Sequence, residues 1–274
     1  MSDAAPVPVS VVIPCFRCSS TIGRALTSVL DQSVQPSEII LVDDFSNDGT
    51  INVLNEWYLR HPSIIKIIAM NENRGAGSAR NFGWDLATQP FVAFLDADDT
   101  WHPRKLEVQY SRMAADSEIS LCGHLCTLHE HGDASLLDLA SVQSSGISKY
   151  AWLFKNAFST PTVMLKRELP LRFLSGRRHS EDYLLWQQIA FAGYCIARID
   201  APLAHVHKPF YGASGLSAQM WEMEKGELLN FNLLRKDGSI GLFLFSLASI
   251  FSLLKFFRRY LIIRLQSWVP AAYR

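Results

Sequence analysis

The sequence lacks an excess of charge of either sign: its 274 residues include 26 lysines and arginines and 26 aspartates and glutamates. A protein that binds nucleic acid through its overall charge is expected to be basic, so we expect no nucleic-acid partner. Charged residues are only 19% of the chain and hydrophobic residues 49%, which excludes disorder as its main state. The length is typical of one large α/β domain with an appendage.

The first 16 residues contain no lysine or arginine and no apolar h-region of the kind found in signal peptides, so they do not resemble a secretory signal. Cysteine is scarce and odd in number, and we therefore expect reduced thiols in a cytoplasmic protein. The spacing of Cys15 and Cys18 also occurs in redox sites, and Cys122, His124 and Cys126 share one face of a predicted strand that could hold zinc. Neither pattern supplies a closed set of four ligands, so ordinary buried thiols are the favoured interpretation.

Short apolar, β-branched runs alternate with segments of helical period through residues 1–115. This alternation predicts βαβ units and an α/β fold with a mostly parallel sheet flanked by helices. The predicted strands cover residues 9–13, 38–42, 64–69 and 91–95, and the predicted helices cover residues 21–32, 50–58, 76–87 and 103–114. Residues 116–237 are less regular, with strands predicted at 119–128 and 162–166, a loop over 129–148 and a helix at 182–192.

Acidic residues follow two of the predicted strands. Asp43 and Asp44 end the second strand, and Asp96, Asp98 and Asp99 follow the fourth. Ligands of open parallel sheets bind beyond the carboxyl ends of the strands, and two carboxylates spaced two residues apart can converge on one hard cation. The alternative is that aspartate is simply common in turns and at helix caps.

Four segments in this order resemble the family 2 glycosyltransferases with the GT-A fold, a Rossmann-like arrangement. They are Val11-Val12-Ile13-Pro14, the run from Ile40 to Thr50, the run from Asn73 to Asn81, and Phe94-Leu95-Asp96-Ala97-Asp98-Asp99. Farther along, His179-Ser180-Glu181-Asp182-Tyr183 resembles the Glu-Asp motif of that family. The resemblance implies one GT-A domain over residues 1–237, with a nucleotide-sugar half to about residue 115 and an acceptor half from about residue 116.

The resemblance also implies roles for particular residues in a metal-dependent, inverting transferase of bacterial surface-polysaccharide type. Asp44 would accept a hydrogen bond from the base, which suits the ring N–H of uracil in a UDP-sugar. Asp98 would hold Mn²⁺ or Mg²⁺, and Asp96 would contact either the ribose of the nucleotide sugar or the same cation. His207, followed by Tyr211 and residues 214–217, is a third candidate ligand. The remaining candidate contacts to the nucleotide sugar are Pro14, Phe16, Arg74 and Arg80.

Asp182 is the candidate general base. Inverting transfer needs one carboxylate that takes the proton of the acceptor hydroxyl, on the face opposite the leaving nucleotide. Glu181 is the alternative base, because neighbouring residues of a helix point about 100° apart and only one of them can face a given pocket. A structural alternative is that acids are favoured at a helix amino terminus.

Two departures from the family pattern are informative. Arg17 stands where an asparagine is common, and the Gln-x-x-Arg-Trp segment of polymerising members does not follow the Glu-Asp motif, so a processive synthase is not expected. Two other functions have weaker support in the sequence. A nucleotidyltransferase would need a glycine-rich phosphate loop after the first strand, where Cys15-Phe16-Arg17 stands instead. An inactive sugar-binding protein is expected to have lost Asp98 or Asp182.

Residues 238–274 form an apolar and basic tail with five arginines and lysines and no acid, whereas residues 1–237 carry a net charge of −5. Residues 240–254 are uncharged, a length that falls short of the roughly 30 Å hydrocarbon core when helical. We expect the tail to attach the protein to the cytoplasmic face of a membrane, with Lys255, Arg258 and Arg259 near anionic headgroups. The acceptor would then be carried on a lipid. The alternative is a helix packed on the catalytic domain or on a second subunit.

Overall fold

The computed structural model describes residues 5–128, 144–207 and 219–267. Its strands are β1 (Val7–Cys15), β2 (Pro36–Asp43), β3 (Ile65–Ala69), β4 (Phe91–Phe94), β5 (Thr100–Trp101), β6 (Ile119–Leu128), β7 (Ser144–Gly146), β8 (Met164–Lys166) and β9 (Cys195–Val206). Its helices are α1 (Ile22–Leu30), α2 (Thr50–Arg60), α3 (Ala76–Leu86), α4 (Lys105–Ala115), α5 (Glu181–Phe191), α6 (Met220–Lys236) and α7 (Leu242–Ser267), with short 3-10 helices at Lys149–Leu153 and Thr160–Thr162.

One sheet runs through the molecule in the order β3-β2-β1-β4-β8-β6-β9-β5, and β7 also pairs with β9. The first four strands in this order are parallel, as expected for strands joined by helical crossovers. β8 is antiparallel to both β4 and β6, and β6 is parallel to β9. The predicted α/β fold is confirmed, and the carboxyl ends of β1, β2 and β4 meet at one edge of the sheet.

Both faces of the parallel half are buried, which explains the continuous apolar runs in its strands. Val11 and Ile13 pack into a core under α1, whereas Val12 packs on the other face into a core that contains α3 and α5. At Gly83 of α3, a Cβ atom would lie 2.5 Å from Cγ1 of Val12. The absence of that atom lets α3 approach β1 closely, and this close packing places the start of α3 at the strand ends.

The predicted strands and helices of the first half and helix α5 match the structure within a few residues. Sequence reasoning missed β5, β7, β9 and α6, and helix α7 extends well beyond the uncharged run at residues 240–254. The part of the predicted loop at residues 129–143, together with Tyr211 and residues 214–217, lies outside the described residues. The missed helix α6 has a weak amphipathic pattern because polar residues such as Glu224 and Asn230 are buried against neighbouring helices.

Helices α6 and α7 pack on each other and on the segment before β8. Their shared core contains Leu153, Phe231, Leu234, Ile240 and Ala248. On the same side of α7, Ser252 donates a hydrogen bond of 2.8 Å to Glu224. Two of the basic residues expected near headgroups pair with acids of α6. Lys255 lies 3.0 Å from Glu227, and Arg259 lies 3.5 Å from Glu224.

The opposite side of α7 is an exposed apolar stripe with one member on each successive turn. The members of this α7 stripe are Phe243, Leu247, Ile250, Leu254, Phe257 and Leu261. Arg258 is also exposed. Across the described ranges, no helix is long and apolar enough to cross a membrane.

Candidate active site

A cavity of about 740 Å³ lies at the carboxyl ends of β1, β2 and β4, and we call it the strand-end cavity. Its lining includes Pro14 and Phe16 after β1, Asp44 after β2, and Asp96 and Asp98 after β4. Arg80 of α3 and Glu181 of α5 also line it. The structure therefore brings together residues that are up to 167 positions apart in the chain, as the motif order predicted.

Asp44 is 2% exposed and is fixed by backbone donors from the start of α3. The N–H of Arg74 donates to its Oδ1 and the N–H of Gly75 to its Oδ2, both at 2.8 Å. Burial raises the pKa of Asp44, while these two backbone donors act in the opposite direction. The capping alternative for this residue does not hold, because Asp48 accepts the hydrogen bond from the N–H of Thr50.

The aspartates of the turn after β4 have different hydrogen-bond partners. Asp96 Oδ1 accepts a hydrogen bond of 2.6 Å from Arg80, whereas the backbone carbonyl of Asp98 accepts hydrogen bonds from the guanidinium of Arg24. Asp99 accepts the backbone N–H of His207 at 3.3 Å, so the end of β9 is tied to this turn. The imidazole Nε2 of His207 lies 2.9 Å from Thr100 Oγ1.

Arg80 joins the two acidic motifs. Its guanidinium is almost fully buried and contacts Asp96 at 2.6 Å and Glu181 at 3.3 Å. The same group lies over the ring of Phe173, 5.4 Å from its centroid. Arg80 therefore connects the turn after β4 with the start of α5, in addition to lining the cavity.

Arg74, a candidate contact to the nucleotide sugar, is not among the residues that line the strand-end cavity. The guanidinium of Arg74 pairs with exposed Glu72 at 2.6 Å. The backbone N–H of Arg74, rather than its side chain, donates a hydrogen bond to Asp44. A cation that sequence reasoning missed, Arg178, lines the cavity and donates to Asn73 Oδ1 at 2.9 Å. The position of Arg178 just before the Glu-Asp motif is the sequence feature that could have identified it as a cavity residue.

The donor set near Asp98 suits a hard divalent cation. No group of three histidine, cysteine, aspartate or glutamate side chains within the described ranges is arranged to hold a metal. Magnesium-type sites commonly use one or two carboxylates and take their other ligands from water and substrate phosphates. Asp96 and Asp98 line one cavity and supply such carboxylates, and His207 lies beside the same turn. The residues present fit a cation that arrives with a diphosphate.

Glu181 and Asp182 face different cavities. Glu181 lines the strand-end cavity, and Asp182 lines a second cavity of about 370 Å³, which we call the helix-side cavity. Asp182 Oδ2 accepts a hydrogen bond of 3.3 Å from Thr160, and its Oδ1 accepts the N–H of Tyr183 at 2.7 Å. Burial, reinforced by the charge of Glu181, raises the pKa of Asp182 to about 6. A carboxyl with this pKa is ionised at neutral pH and is more basic than usual.

The cysteines support neither the redox interpretation nor the zinc interpretation. All five cysteines lie among the described residues and are free thiols. The side-chain hydrogen bond between Cys15 and Cys18, together with burial, favours the protonated thiol and raises the pKa of Cys15 well above its ordinary value, so this thiol is inert rather than reactive. Burial lowers the pKa of His124 to about 3, and its Nδ1 contacts the carbonyl of Leu125.

A model of glycosyl transferase family 2 matches residues 10–155, more than half of the chain. The chain is 32% identical over 186 residues to WfgD of Escherichia coli, a UDP-Glc:alpha-D-GlcNAc-diphosphoundecaprenol beta-1,3-glucosyltransferase, and the match covers 66% of this chain and 69% of WfgD. It is 42% identical over 219 residues to TuaG of Bacillus subtilis, which is provisionally assigned to teichuronic acid biosynthesis; the match covers 79% of this chain and 84% of TuaG.

Solved structures show the same fold. The mannosyltransferase PcManGT of Pyrobaculum calidifontis, in complex with GDP-Man and Mn²⁺, aligns with a TM-score of 0.64 at 21% identity over 92% of this chain and 76% of its own. TarS residues 1–349 of S. aureus, in complex with UDP-GlcNAc, align with a TM-score of 0.63 at 18% identity over 83% of this chain and 66% of that one. This chain covers 39% of the longer TarS chain.

Proposed function

Because the chain belongs to glycosyl transferase family 2, we propose that it transfers a sugar from a UDP-sugar to a hydroxyl acceptor, with inversion, in bacterial surface-polysaccharide biosynthesis. The observation that carries the proposal is the strand-end cavity. Segments that follow β1, β2 and β4 meet the start of α5 there, with carboxylates and guanidinium groups in one space. The cavity volume lies within the roughly 300–1,000 Å³ typical of small-molecule sites.

The nucleotide is placed by Asp44 and Phe16. Each carboxylate oxygen of Asp44 accepts one backbone N–H and has a further lone pair, so it can accept the ring N–H of uracil. The ring of Phe16 is 45% exposed beside the cavity and offers an apolar face to the base. Arg17 and Arg178 also line the cavity and supply positive charge for the diphosphate.

Asp98 and Asp96 would hold Mn²⁺ or Mg²⁺, with His207 as a further candidate ligand. When bound, the cation would neutralise charge that develops on the departing diphosphate. The presence of Mn²⁺ with GDP-Man in the mannosyltransferase PcManGT supports this assignment. The Arg80 guanidinium pairs with the Asp96 carboxylate at 2.6 Å and fixes its orientation in the cavity that Asp98 also lines.

Asp182 acts as the general base on the opposite side of the start of α5. Its carboxylate takes the proton from the acceptor hydroxyl as the oxygen bonds to the anomeric carbon. The bond from that carbon to the diphosphate oxygen breaks at the same time, and the nucleoside diphosphate leaves with the electron pair. The raised pKa of Asp182 supports this role because a base works best with a pKa near the working pH.

The α7 stripe lies on the cytoplasmic face of a membrane and brings the enzyme to a lipid-linked acceptor. From Phe243 to Leu261 it extends roughly 27 Å along the helix, parallel to a surface rather than across it. Exposed Arg258 lies next to the stripe and can approach anionic headgroups. The lipid-diphosphate acceptor named for WfgD supports an acceptor of this kind.

A donor screen tests the catalytic part of the proposal. The purified full chain is incubated with Mn²⁺ and a panel of nucleotide sugars, and donor hydrolysis and thermal shift are measured. We expect a UDP-sugar to be hydrolysed and to stabilise the protein, with both effects lost on addition of EDTA. With UTP and a sugar 1-phosphate supplied in place of the nucleotide sugar, release of pyrophosphate would indicate a nucleotidyltransferase. Metal-independent binding of the UDP-sugar would contradict the cation assignment.

Vesicle co-sedimentation tests the membrane part. Leu254→Glu places a charge in the α7 stripe, and Leu59→Glu places one at a comparably exposed leucine on α2. We expect the wild type and Leu59→Glu to sediment with anionic vesicles and Leu254→Glu to remain in the supernatant. Equal sedimentation of all three proteins would contradict a lipid-facing stripe.

A further inference from the structure

Helix α1 carries polar side chains toward the segment that follows β4. Arg24, Ser28 and Gln32 follow one another at intervals of four residues, so they lie along one side of the helix and its carboxyl end. Each of them hydrogen-bonds to backbone groups within residues 98–106. The chain that leaves the candidate cation site is therefore attached to α1 over its first two turns.

Arg24 contacts the residue that would hold the cation. Its Nε and Nη2 both donate to the backbone carbonyl of Asp98, the Nε at 3.1 Å. The backbone N–H of Asp99 donates to the carbonyl of Asp96, also at 3.1 Å. Both polar groups of the peptide between Asp98 and Asp99 are thus bonded. Because a peptide is planar, these bonds fix its orientation and restrict the direction in which the Asp98 side chain leaves the backbone.

Coulomb interaction alone would not favour a guanidinium beside a cation site. Arg24 is exposed and is not among the residues that line the strand-end cavity, whereas Asp98 lines it. A positive charge close to a divalent cation lowers the affinity for that cation, and solvent screening reduces this effect without reversing it. The contact with the Asp98 carbonyl therefore needs a benefit other than charge, and the orientation of Asp98 supplies one.

We propose that Arg24 is a positioning residue for the cation. It holds the turn after β4 in the conformation in which Asp98 lines the strand-end cavity. A carboxylate that is already oriented loses less conformational entropy when a cation binds, so the affinity for the cation rises. Arg24 acts through the backbone of Asp98 and needs to touch neither the cation nor the nucleotide. This inference rests on the proposed function, because it requires Asp98 to hold Mn²⁺ or Mg²⁺.

The contact at the other end of this series has a different role. Gln32 is 5% exposed, donates to the carbonyl of His102 at 2.8 Å and accepts the N–H of Leu106 at 2.9 Å. Removing a buried side chain that satisfies two backbone groups costs stability. It leaves the bonds of the Asp98 peptide in place. Function and stability therefore separate along the helix, with Arg24 serving the cation and Gln32 serving the fold.

Substitutions at the two ends of the series test the assignment in the full chain. Arg24→Ala removes the contact with Asp98, and Arg24→Lys keeps the charge and a single donor group. Gln32→Leu removes the buried contacts, and Arg60→Ala, which removes an exposed guanidinium from α2, is the charge-matched control. Free Mn²⁺ is followed by its electron paramagnetic resonance signal during titration with UDP present, which gives the cation affinity without catalysis. Denaturant unfolding without metal gives the stability of each variant.

We expect Arg24→Ala to weaken Mn²⁺ binding about tenfold, the lower end of the range for residues that orient metal ligands, and Arg24→Lys to weaken it less. Gln32→Leu and Arg60→Ala should bind Mn²⁺ as the wild type does, and Gln32→Leu should lower the denaturant midpoint the most.

The loss of the Arg24 charge acts in the opposite direction, so equal or tighter Mn²⁺ binding by Arg24→Ala would overturn the assignment. It is also overturned if Gln32→Leu weakens Mn²⁺ binding as much as Arg24→Ala does, because the effect would then be a general fold defect. A wild type that binds UDP without any dependence on Mn²⁺ would remove the cation part of the proposed function together with this inference.

Discussion

The two cavities are built in different ways. The strand-end cavity is defined by backbone: its acids follow buried strands, and Asp44 is held by N–H groups at the start of α3. The helix-side cavity is assembled by side chains from β6, the segment before β8, α5, α6 and α7. A site fixed by backbone groups can bind the nucleotide, the part that many donors have in common. A site formed by helix side chains can change its specificity without disturbing the sheet.

The largest loss of activity is expected from substitutions at the start of α5, the turn that lies between the two cavities. Asp182→Asn keeps the shape of the side chain but removes its basicity, so we expect transfer to fall by about 10²–10⁴-fold with UDP affinity unchanged. Steady-state kinetics and calorimetry on the same preparation measure both. Glu181→Gln is the matched variant, and if it loses transfer while Asp182→Asn retains it, the wrong acid has been assigned as base.

Removal of the Arg80 guanidinium should damage both cavities at once. Arg80→Met leaves Asp96 and Glu181 without their buried partner, and breaking such a pair costs about 3–5 kcal/mol. We expect a loss of unfolding free energy near the lower end of that range, because Asp96 is partly exposed. Denaturant unfolding measures it. Arg60→Met, at the exposed pair with Glu56, is the control and should cost less than about 1 kcal/mol.

The pH dependence of transfer follows from the pKa of Asp182, which burial raises to about 6. The ionised form is the base, so activity should be full above this pKa and fall as pH drops through it. We expect transfer to be about tenfold slower at pH 5 than at pH 7. A rate profile measured under donor saturation checks this, and a rate that stays flat down to pH 5 would contradict a base with a raised pKa.

The smallest expected effect distinguishes two arginines near the diphosphate. Arg178 lines the strand-end cavity, whereas the Arg74 guanidinium pairs with exposed Glu72, a kind of pair worth about 0–1 kcal/mol. We therefore expect Arg178→Ala to weaken UDP binding more than Arg74→Ala does, by calorimetry in low salt. The reverse order would support the contact to the nucleotide sugar that the sequence predicted for Arg74.

The difference between the two cavities also explains which residues of the candidate site could be predicted from the sequence. Asp44, Asp96 and Asp98 each follow an apolar strand in a short segment, so local pattern identifies them and sheet topology brings them together. The wall around Asp182 combines Phe158, Met223 and Arg259, which no local spacing relates. Helix α6 was missed for a related reason, since its buried polar residues contact helix neighbours that are distant in sequence.

The tail illustrates the same limit. Composition correctly indicated an apolar, basic helix, but it could not show that Lys255 and Arg259 turn inward to Glu227 and Glu224. The side on which each charge lies depends on where α6 packs. Among the described residues of the tail, the outward α7 stripe and Arg258 stay exposed and could meet a lipid surface.

The most direct test of the division between the two cavities is the location of the cation and the nucleotide. Crystals of the full chain grown with UDP and Mn²⁺, measured at the manganese absorption edge, give the metal position by anomalous scattering. We expect the anomalous peak at the Asp98 carboxylate, the uracil against Asp44, and no nucleotide in the helix-side cavity. A manganese peak away from Asp96 and Asp98, or UDP bound beside Asp182 and Met223, would contradict the assignment of donor and acceptor to the two cavities.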